Sequence, residues 1–551
     1  MSTRLKPKLL SVMKTYNKEQ FVKDIIAGLI VAIIALPLSI ALAISSGVSP
    51  EQGLYTAIIA GFFISLLGGS RVQIGGPSAT FMVVVYGVVA SHGTEGVLIT
   101  TILAGIILIL FGLCKLGSMI KYIPYPITVG FTSGIAVTIF SSQIKDFFGM
   151  DIGAVPTEFV EKWMFYFQSF DKASLLPFLI GVLALAILIV WPKINKRIPG
   201  SLIAIVVTTL LVSVFKLDVQ TIGSQYSNLS SSFPMPSVPH FTWIKIQELL
   251  PPAFTIAFLC SMESLLSAVV SDGMIGSKHR SNMELVAEGV ANIASGLFGG
   301  MPATGAIART VANIKNGGRT PIAGIVHALT LLFILLVLMP LVKLIPLSTL
   351  AAILIIVSYN MSEWRMFRKL LHAPKSDVVV LLATFFLTVL FDLTLAISVG
   401  MVLSSFLFLK RMTDVTDIQG LELIDDEEDS KLFDDELKEV LSDEILIYEI
   451  NGPFFFGAAD KFLDSIQSLQ GPSKVLIIRL RNVPVIDATA VHALDLLYDN
   501  CERSNTVLVL SEVSDRPYQV IKKVGLVQHI GRANVCRDFE AAIARAKQII
   551  D

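Results

Sequence analysis

The sequence predicts an all-α polytopic membrane domain followed by a small soluble α/β domain. Three observations carry this expectation. First, apolar runs of roughly 15–20 residues recur between residues 25 and 409, each near the length a helix needs to cross ~30 Å of hydrocarbon. Second, 53% of the chain is hydrophobic and only 16% is charged, whereas soluble domains carry about 25% charged residues. Third, the texture changes after Arg411: polar and apolar residues mix, and the acidic run Asp425-Asp426-Glu427-Glu428-Asp429 appears. The predicted division is a cytoplasmic leader at 1–20, a membrane domain at 21–411, an acidic linker at 412–440 and a soluble domain at 441–551.

The leader carries Lys6, Lys8, Lys14 and Lys18 and has no cleavable signal pattern. The net charge of −1 gives no footing for nucleic-acid binding. Cys114, Cys260, Cys501 and Cys536 form no CxxC pair and read as free thiols. The seven histidines show no metal-ligand spacing, and no Walker-type phosphate loop is present. Neither an enzyme nor an ATP-driven pump is expected, and no cofactor.

Fourteen apolar segments are predicted, centred near Ala32, Ile59, Val84, Ile106, Gly134, Leu183, Val206, Phe258, Ala291, Ala308, Leu332, Ile353, Ala383 and Val402. Basic residues orient them. With the N-terminus inside, the cytoplasmic loops carry Arg71, Lys115, Lys121, Lys193, Lys196, Arg197, Lys278, Arg280, Lys315, Arg319, Arg365, Arg368, Lys369, Lys375, Lys410 and Arg411. The short external loops near Ser46, Gly93 and Met301 carry none, and the one near Pro340 has only Lys343. This is the positive-inside pattern, and an even count puts both termini in the cytoplasm. The longer external stretches, 142–172 and 216–249, contain lysines but weigh little in the rule.

Two interrupted segments resemble one another. Leu67-Gly68-Gly69-Ser70 precedes Gly75-Gly76-Pro77-Ser78-Ala79-Thr80, and Phe298-Gly299-Gly300-Met301 precedes Pro302-Ala303-Thr304-Gly305-Ala306. Each stands before the third span of a seven-span half, and an odd number of spans makes two such halves inverted. That is the layout of a secondary transporter that binds its substrate near the midplane. Gly and Pro let the chain leave the helical path, and Pro suits a helix's first turn. A helix that starts inside the membrane presents unpaired N–H groups and roughly +0.5 e. Two such ends form an anion site from backbone alone, with Ser78, Thr80 and Thr304 adding hydroxyls. The competing reading is small-residue packing between helices.

Between residues 251 and 270 the only acidic or basic side chain is Glu263. An intramembrane acid is a functional hypothesis by default, suited to proton coupling; a structural hydrogen bond is the alternative. Arg309, four residues after Gly305, either adds positive charge for an anion or neutralises Glu263. Glu284 and Glu288 share one helix face and are expected to meet a neighbouring bundle or the cytoplasmic interface. Lys23 and Asp24 read as interfacial flanks.

At 24–46 (DIIAGLIVAIIALPLSIALAISS), 68–80, 127–145 (ITVGFTSGIAVTIFSSQIK), 261–271 and 299–320, ending in NIKNGGRT, the chain resembles the SulP anion transporters. The resemblance implies seven-plus-seven inverted repeats divided into a core bundle and a gate bundle, in a homodimer. It implies an anion held between the third and tenth spans and lined by the first and eighth. Carried onto this sequence, the site comprises Pro37, Leu38, Leu42, Ser78, Ala79, Thr80, Ala306, Ile307, Ala308 and Arg309, with Glu263 and Ser267 as coupling residues. Many sulfate-carrying members have Gln after the first-span proline and an aromatic residue four positions on. Here Leu38 and Leu42 stand there, which disfavours a strictly sulfate reading. Ile307 lacks the side-chain oxygen that sodium-coupled bicarbonate members supply, so H+ is preferred to Na+ and a carboxylate-type anion to sulfate. Dicarboxylate, bicarbonate and sulfate all remain candidates.

From Glu444, βα alternation predicts strands at 445–450, 474–480 and 507–510 and helices at 458–469, 488–503, 516–524 and 538–550, a domain of ~110 residues. Asn451-Gly452-Pro453-Phe454-Phe455-Phe456 and Val485-Ile486-Asp487-Ala488-Thr489-Ala490 resemble a STAS domain, related to anti-sigma-factor antagonists. Thr489 then stands at the phosphorylatable position, the domain implies a cytoplasmic protein partner, and Asp487 serves equally as a helix cap. The leading expectation is alternating-access anion transport across the cytoplasmic membrane. A membrane-anchored anion sensor and a passive anion channel are the rivals.

Overall fold

The computed structural model describes residues 5–118, 124–153, 155–156, 158–195, 198–226, 229–391, 393–420, 444–467 and 473–551. The acidic run, most of the predicted linker, Lys121, Lys196 and Arg197 lie outside the described residues. The chain divides into two units, Met1–Val402 and Leu403–Asp551.

In the first unit the helices relevant to the site are α1 (Lys18–Ser45), α2 (Pro50–Leu67), α3 (Met82–Leu113), α4 (Tyr125–Phe147), α5 (Leu175–Ile194), α6 (Gly200–Phe215), α7 (Trp243–Ile275), α8 (Ser281–Leu297), α9 (Ile307–Lys315), α10 (Ile322–Phe333), α11 (Leu347–Met361) and α12 (Lys375–Leu390). α13 (Leu393–Val415) runs across the division into the second unit. Every predicted centre falls on one of these helices, those near Val84 and Ile106 together on α3. There Gly93, with φ 66° and ψ −168°, separates two helical arms; a backbone that glycine adopts without a Cβ penalty. Among the described residues, nine helical stretches are long and apolar enough to cross a membrane, and α6 is a shorter apolar helix. Large apolar side chains such as Leu179, Leu210 and Phe386 point outward, as a surface solvated by lipid requires.

Packing sorts these helices into two groups. α8 packs on α3 and α2, α7 on α3, α10 on α1 and α2, and α9 between α7 and α1. The other group joins α4 to α11 and α12, and α5 to α6 and α11. The α3–α8 contact is close because both sides present glycine: a Cβ on Gly105 would stand 2.6 Å from the Gly289 carbonyl oxygen, and one on Gly289 2.5 Å from that of Gly105. Small residues let membrane helices approach to backbone contact.

The second unit is a mixed sheet in the order β3 (Asp417–Gly420), β4 (Ile445–Asn451), β5 (Val475–Arg479), β6 (Val507–Ser511), β7 (Val535–Cys536), with only β3 antiparallel. Besides a five-residue helix at Leu526–Ile530, the longer helices among the strands are α14 (Phe456–Gln467), α15 (Ala488–Arg503), α16 (Asp515–Val524) and α17 (Phe539–Ile550). These agree with the predicted elements to within two residues; β3 and the two-residue β7 carry no periodic signal and were not anticipated. Phe454 and Phe462, both fully buried, meet edge-on in the core.

Candidate functional site

The two interrupted segments meet. β1 (Gly75–Pro77) pairs antiparallel with β2 (Ala303–Gly305), with Gly75 opposite Gly305, Gly76 opposite Thr304 and Pro77 opposite Ala303. The amide of Ala306 extends the ladder by donating to the Ile74 carbonyl at 3.0 Å. Each strand then turns into a helix. Ser78 has an extended backbone, its Oγ accepts from the Thr80 amide at 3.3 Å, and a 3-10 turn over Ala79–Phe81 leads into α3. Ala306 is likewise extended and opens α9 with no side-chain cap. The first amides of both helices therefore point into one region with their partial positive charge.

Two ladder glycines lie directly under long polar side chains. A Cβ on Gly76 would lie 2.0 Å from Nη1 of Arg309, and one on Gly305 1.6 Å from Nε2 of Gln73. Both long polar side chains pass over the crossing through space that a Cβ would fill.

Glu263, on α7, is half-buried, and its two carboxylate oxygens accept from the Ser78 hydroxyl at 2.9 and 2.8 Å. Arg309 is buried one turn into α9. Its Nη2 donates to the Pro77 carbonyl at 3.1 Å and to Ser39 Oγ at 3.5 Å, while Nη1 has no protein partner. The guanidinium is thus held by the crossing and by α1, with one nitrogen available. Among the described residues no direct ion pair joins it to Glu263 within 4.0 Å.

The other predicted residues take graded positions. Pro37 and Leu42 are buried in α1 and Leu38 is half-buried; Pro37 deprives the Ile33 carbonyl of its helical donor. Ser78, Ala79 and Thr80 are buried, Ala306 and Ile307 half-buried, and Ala308 exposed. Ser267 is buried and donates to Thr310 Oγ1 at 3.3 Å, and that oxygen accepts from the Ile74 amide at 3.2 Å. The structure thus gathers Ser78 with Glu263, and Arg309 with Pro77, while Ser267 joins α7 to α9 and β1.

Sequence reasoning missed several of these partners. Glu288 is fully buried, and its carboxylate accepts from the Gly305 amide at 2.9 Å, the Cys260 thiol at 2.6 Å and Thr304 Oγ1 at 3.4 Å. It anchors β2 against α7 and α8, at the crossing itself. Glu284 accepts from the Ser70 amide at 2.7 Å. Asp24 is a buried clamp: it accepts from Gln20 Nε2, Tyr16 OH, the Arg319 amide and Thr320 Oγ1 at 2.5–3.1 Å. The one signal available in sequence was the rarity of acids in apolar spans.

In the second unit, Asp487 caps α15, accepting from the Ala490 amide at 2.8 Å and the Phe456 amide at 3.2 Å. Thr489 is exposed in the first turn of that helix. The four cysteines are free.

A crossing of two short strands inside an apolar helical unit, with a small α/β unit after it, is the arrangement of a polytopic membrane transporter with an appended soluble domain. The chain belongs to the sulfate permease family, whose sequence pattern it matches over residues 21–384, and it carries a STAS domain at 438–542. It is therefore a member of a transporter family and not an enzyme. The Bacillus subtilis protein YvdB is 40% identical over 524 residues, spanning 94% of this chain and 96% of that protein. The bicarbonate transporter BicA of Picosynechococcus sp. is 31% identical over 493 residues, covering 86% of this chain and 85% of BicA. In fold, the murine Solute Carrier 26 family member A9 anion transporter in its inward-facing state superposes with a TM-score of 0.87 at 18% identity, covering 99% of this chain and 94% of that one.

Proposed function

We propose that this protein is a secondary active transporter that carries a small anion across the cytoplasmic membrane by alternating access. The observation that carries the reading is the β1–β2 crossing, which brings two uncapped or hydroxyl-capped helix starts together beside a buried arginine with one free nitrogen. Backbone amides and one fixed charge suit an anion that must bind and leave again. The lining is Pro37, Leu38 and Leu42 on α1, residues 78–80 before α3, and residues 306–309 at α9. Glu263 is the proton-linked group: with its carboxylate bound to Ser78, protonation state and site geometry are coupled. Ile307 contributes no side-chain oxygen, which favours H+ over Na+.

Relatives described as sulfate and bicarbonate transporters support these two anions as candidate substrates, and a dicarboxylate is proposed beside them. The protein is taken to cross the membrane fourteen times as two inverted seven-span halves, with both termini cytoplasmic, and to work as a homodimer. The STAS domain is taken to bind a cytoplasmic protein partner, with Thr489 as its phosphorylation site.

Purified protein in liposomes tests this directly. Uptake of labelled fumarate, succinate, bicarbonate and sulfate is measured with and without proton and sodium gradients. Accumulation against a gradient, driven by protons, is the expected result. Uptake that only equilibrates points to a channel, and no uptake of any of the four leaves the sensor reading standing in its place.

A further inference from the structure

Three buried polar groups around β1 lack a protein partner, and two of them, on His327 and Ser65, take no part in the site described above. His327, on α10, is fully buried, and neither Nδ1 nor Nε2 has a protein partner. Ser65 Oγ, on α2, is unpartnered as well, and so is Arg309 Nη1. The three belong to one neighbourhood. Gly324, one turn before His327, faces Ser65: a Cβ there would lie 2.0 Å from Ser65 Oγ. Gly61, one turn before Ser65, faces His327: a Cβ there would stand 3.6 Å from ring Nδ1 and 3.1 Å from the Gly75 carbonyl oxygen. Gly76, the next residue of β1, faces Arg309 Nη1. Polar groups on α2, α9 and α10 thus each stand against a glycine of α2, β1 or α10, with the Gly75 carbonyl beside them.

Burial strips a polar group of its hydration, so groups of this kind are found paired, with protein or with ordered water. A water molecule needs a polar, roomy site and takes about three hydrogen bonds. Ser65 Oγ, a His327 ring nitrogen, the Gly75 carbonyl and Arg309 Nη1 form such a set. Each terminal guanidinium nitrogen carries two N–H groups, so Nη1 can hold water with one and present the other to a ligand.

We propose that His327 is a positioning residue for Arg309, acting through water bound in a polar chamber between α2, β1 and α10. The water fixes a side chain that is otherwise rich in rotamers, and so aims the guanidinium at the anion. This inference rests on Arg309 being an anion ligand.

The test is uptake kinetics in liposomes with whichever of the four anions the wild type accumulates. His327→Leu raises KM about tenfold with Vmax within about twofold, the signature of lost binding. His327→Gln, which keeps a donor and an acceptor, stays within about threefold of the wild-type KM. In an Arg309→Gln background, His327→Leu adds no further change, because the two act as one unit. If Arg309→Gln raises KM and His327→Leu does not, the inference falls alone. If Arg309→Gln leaves KM unchanged, the reading of Arg309 falls and the inference with it. Should His327→Leu fail to fold, a density map of the wild type that resolves water decides: water bridging His327 and Arg309 Nη1 is expected, and a dry chamber overturns the proposal.

Discussion

The hydroxyl of Ser78 lies 2.8 and 2.9 Å from the two carboxylate oxygens of Glu263, across 185 residues of chain. A serine has one hydroxyl hydrogen, so this donor is shared between both oxygens. The contact ties the start of α3, where the anion is proposed to bind, to the only acid between residues 251 and 270. If Glu263 carries the coupling proton, Ser78 is the group that reports its state to the anion site.

Glu263→Gln therefore retains the shape of the carboxyl and removes its titration. Proton-driven accumulation is expected to vanish while downhill exchange survives. Measuring uptake with and without an imposed pH gradient checks this, and a variant that still concentrates the anion in response to pH removes Glu263 from the coupling role. Ser78→Ala is expected to weaken coupling and affinity together.

Arg309→Ala is expected to raise the half-saturating anion concentration at least about tenfold, which is roughly 1.4 kcal/mol. Lysine should not rescue it, since only the planar guanidinium can bond the Pro77 carbonyl and Ser39 while turning a second nitrogen toward a ligand. Titration of anion-induced thermal stabilisation of purified protein measures the change. An unaltered midpoint would assign Arg309 to structure alone.

Gly305→Ala is predicted to disrupt the crossing, because the new Cβ would overlap Gln73 Nε2. Overpacking of this sort costs about 1–3 kcal/mol. Shortening the obstructing side chain, as in Gly305→Ala with Gln73→Ser, should recover part of the lost melting temperature. The absence of any recovery would locate the defect elsewhere.

Asp487→Ala removes a cap and should destabilise the STAS domain by about 1 kcal/mol, whereas Thr489→Ala, at an exposed position, should leave melting unchanged. Thr489→Glu separates the two roles: a change in transport without a change in melting marks Thr489 as a regulatory position.

Burial pushes the Cys501 thiol up to about 11, and Cys536 is also raised but half exposed. The reactive species is the thiolate, so a raised value keeps Cys501 protonated and slow until the pH approaches that figure. In the folded full-length chain, maleimide should label Cys536 well before Cys501, with both rates climbing as pH rises. Equal rates would mean that the α15 core opens readily.

Much of the site was legible as chemistry before it was visible as geometry. The Gly-Gly and Pro repeats located both interrupted spans, since few other residues leave a helix inside a membrane. Glu263 and Arg309 stood out because charge is scarce in apolar runs. Asp24, Glu284 and Glu288 were visible by the same rule, yet their partners were not. Asp24 reads as a flank until Arg319 and Thr320 arrive from 295 and 296 residues away. Glu288 reads as an interhelical contact until β2 folds back to offer the Gly305 amide.

The sequence by itself determined that this chain is a polytopic membrane protein with two interrupted apolar segments and a STAS domain. Those properties follow from composition, span length and local turn chemistry, each set within a few tens of residues. Only the tertiary structure decided that two three-residue strands pair across the duplication, that Arg309 spends one nitrogen on Pro77 and keeps another free, and that His327 is buried beside it. Strands this short have no period to read. A buried polar group's partners are chosen by packing between segments hundreds of residues apart, a relationship that no local pattern contains.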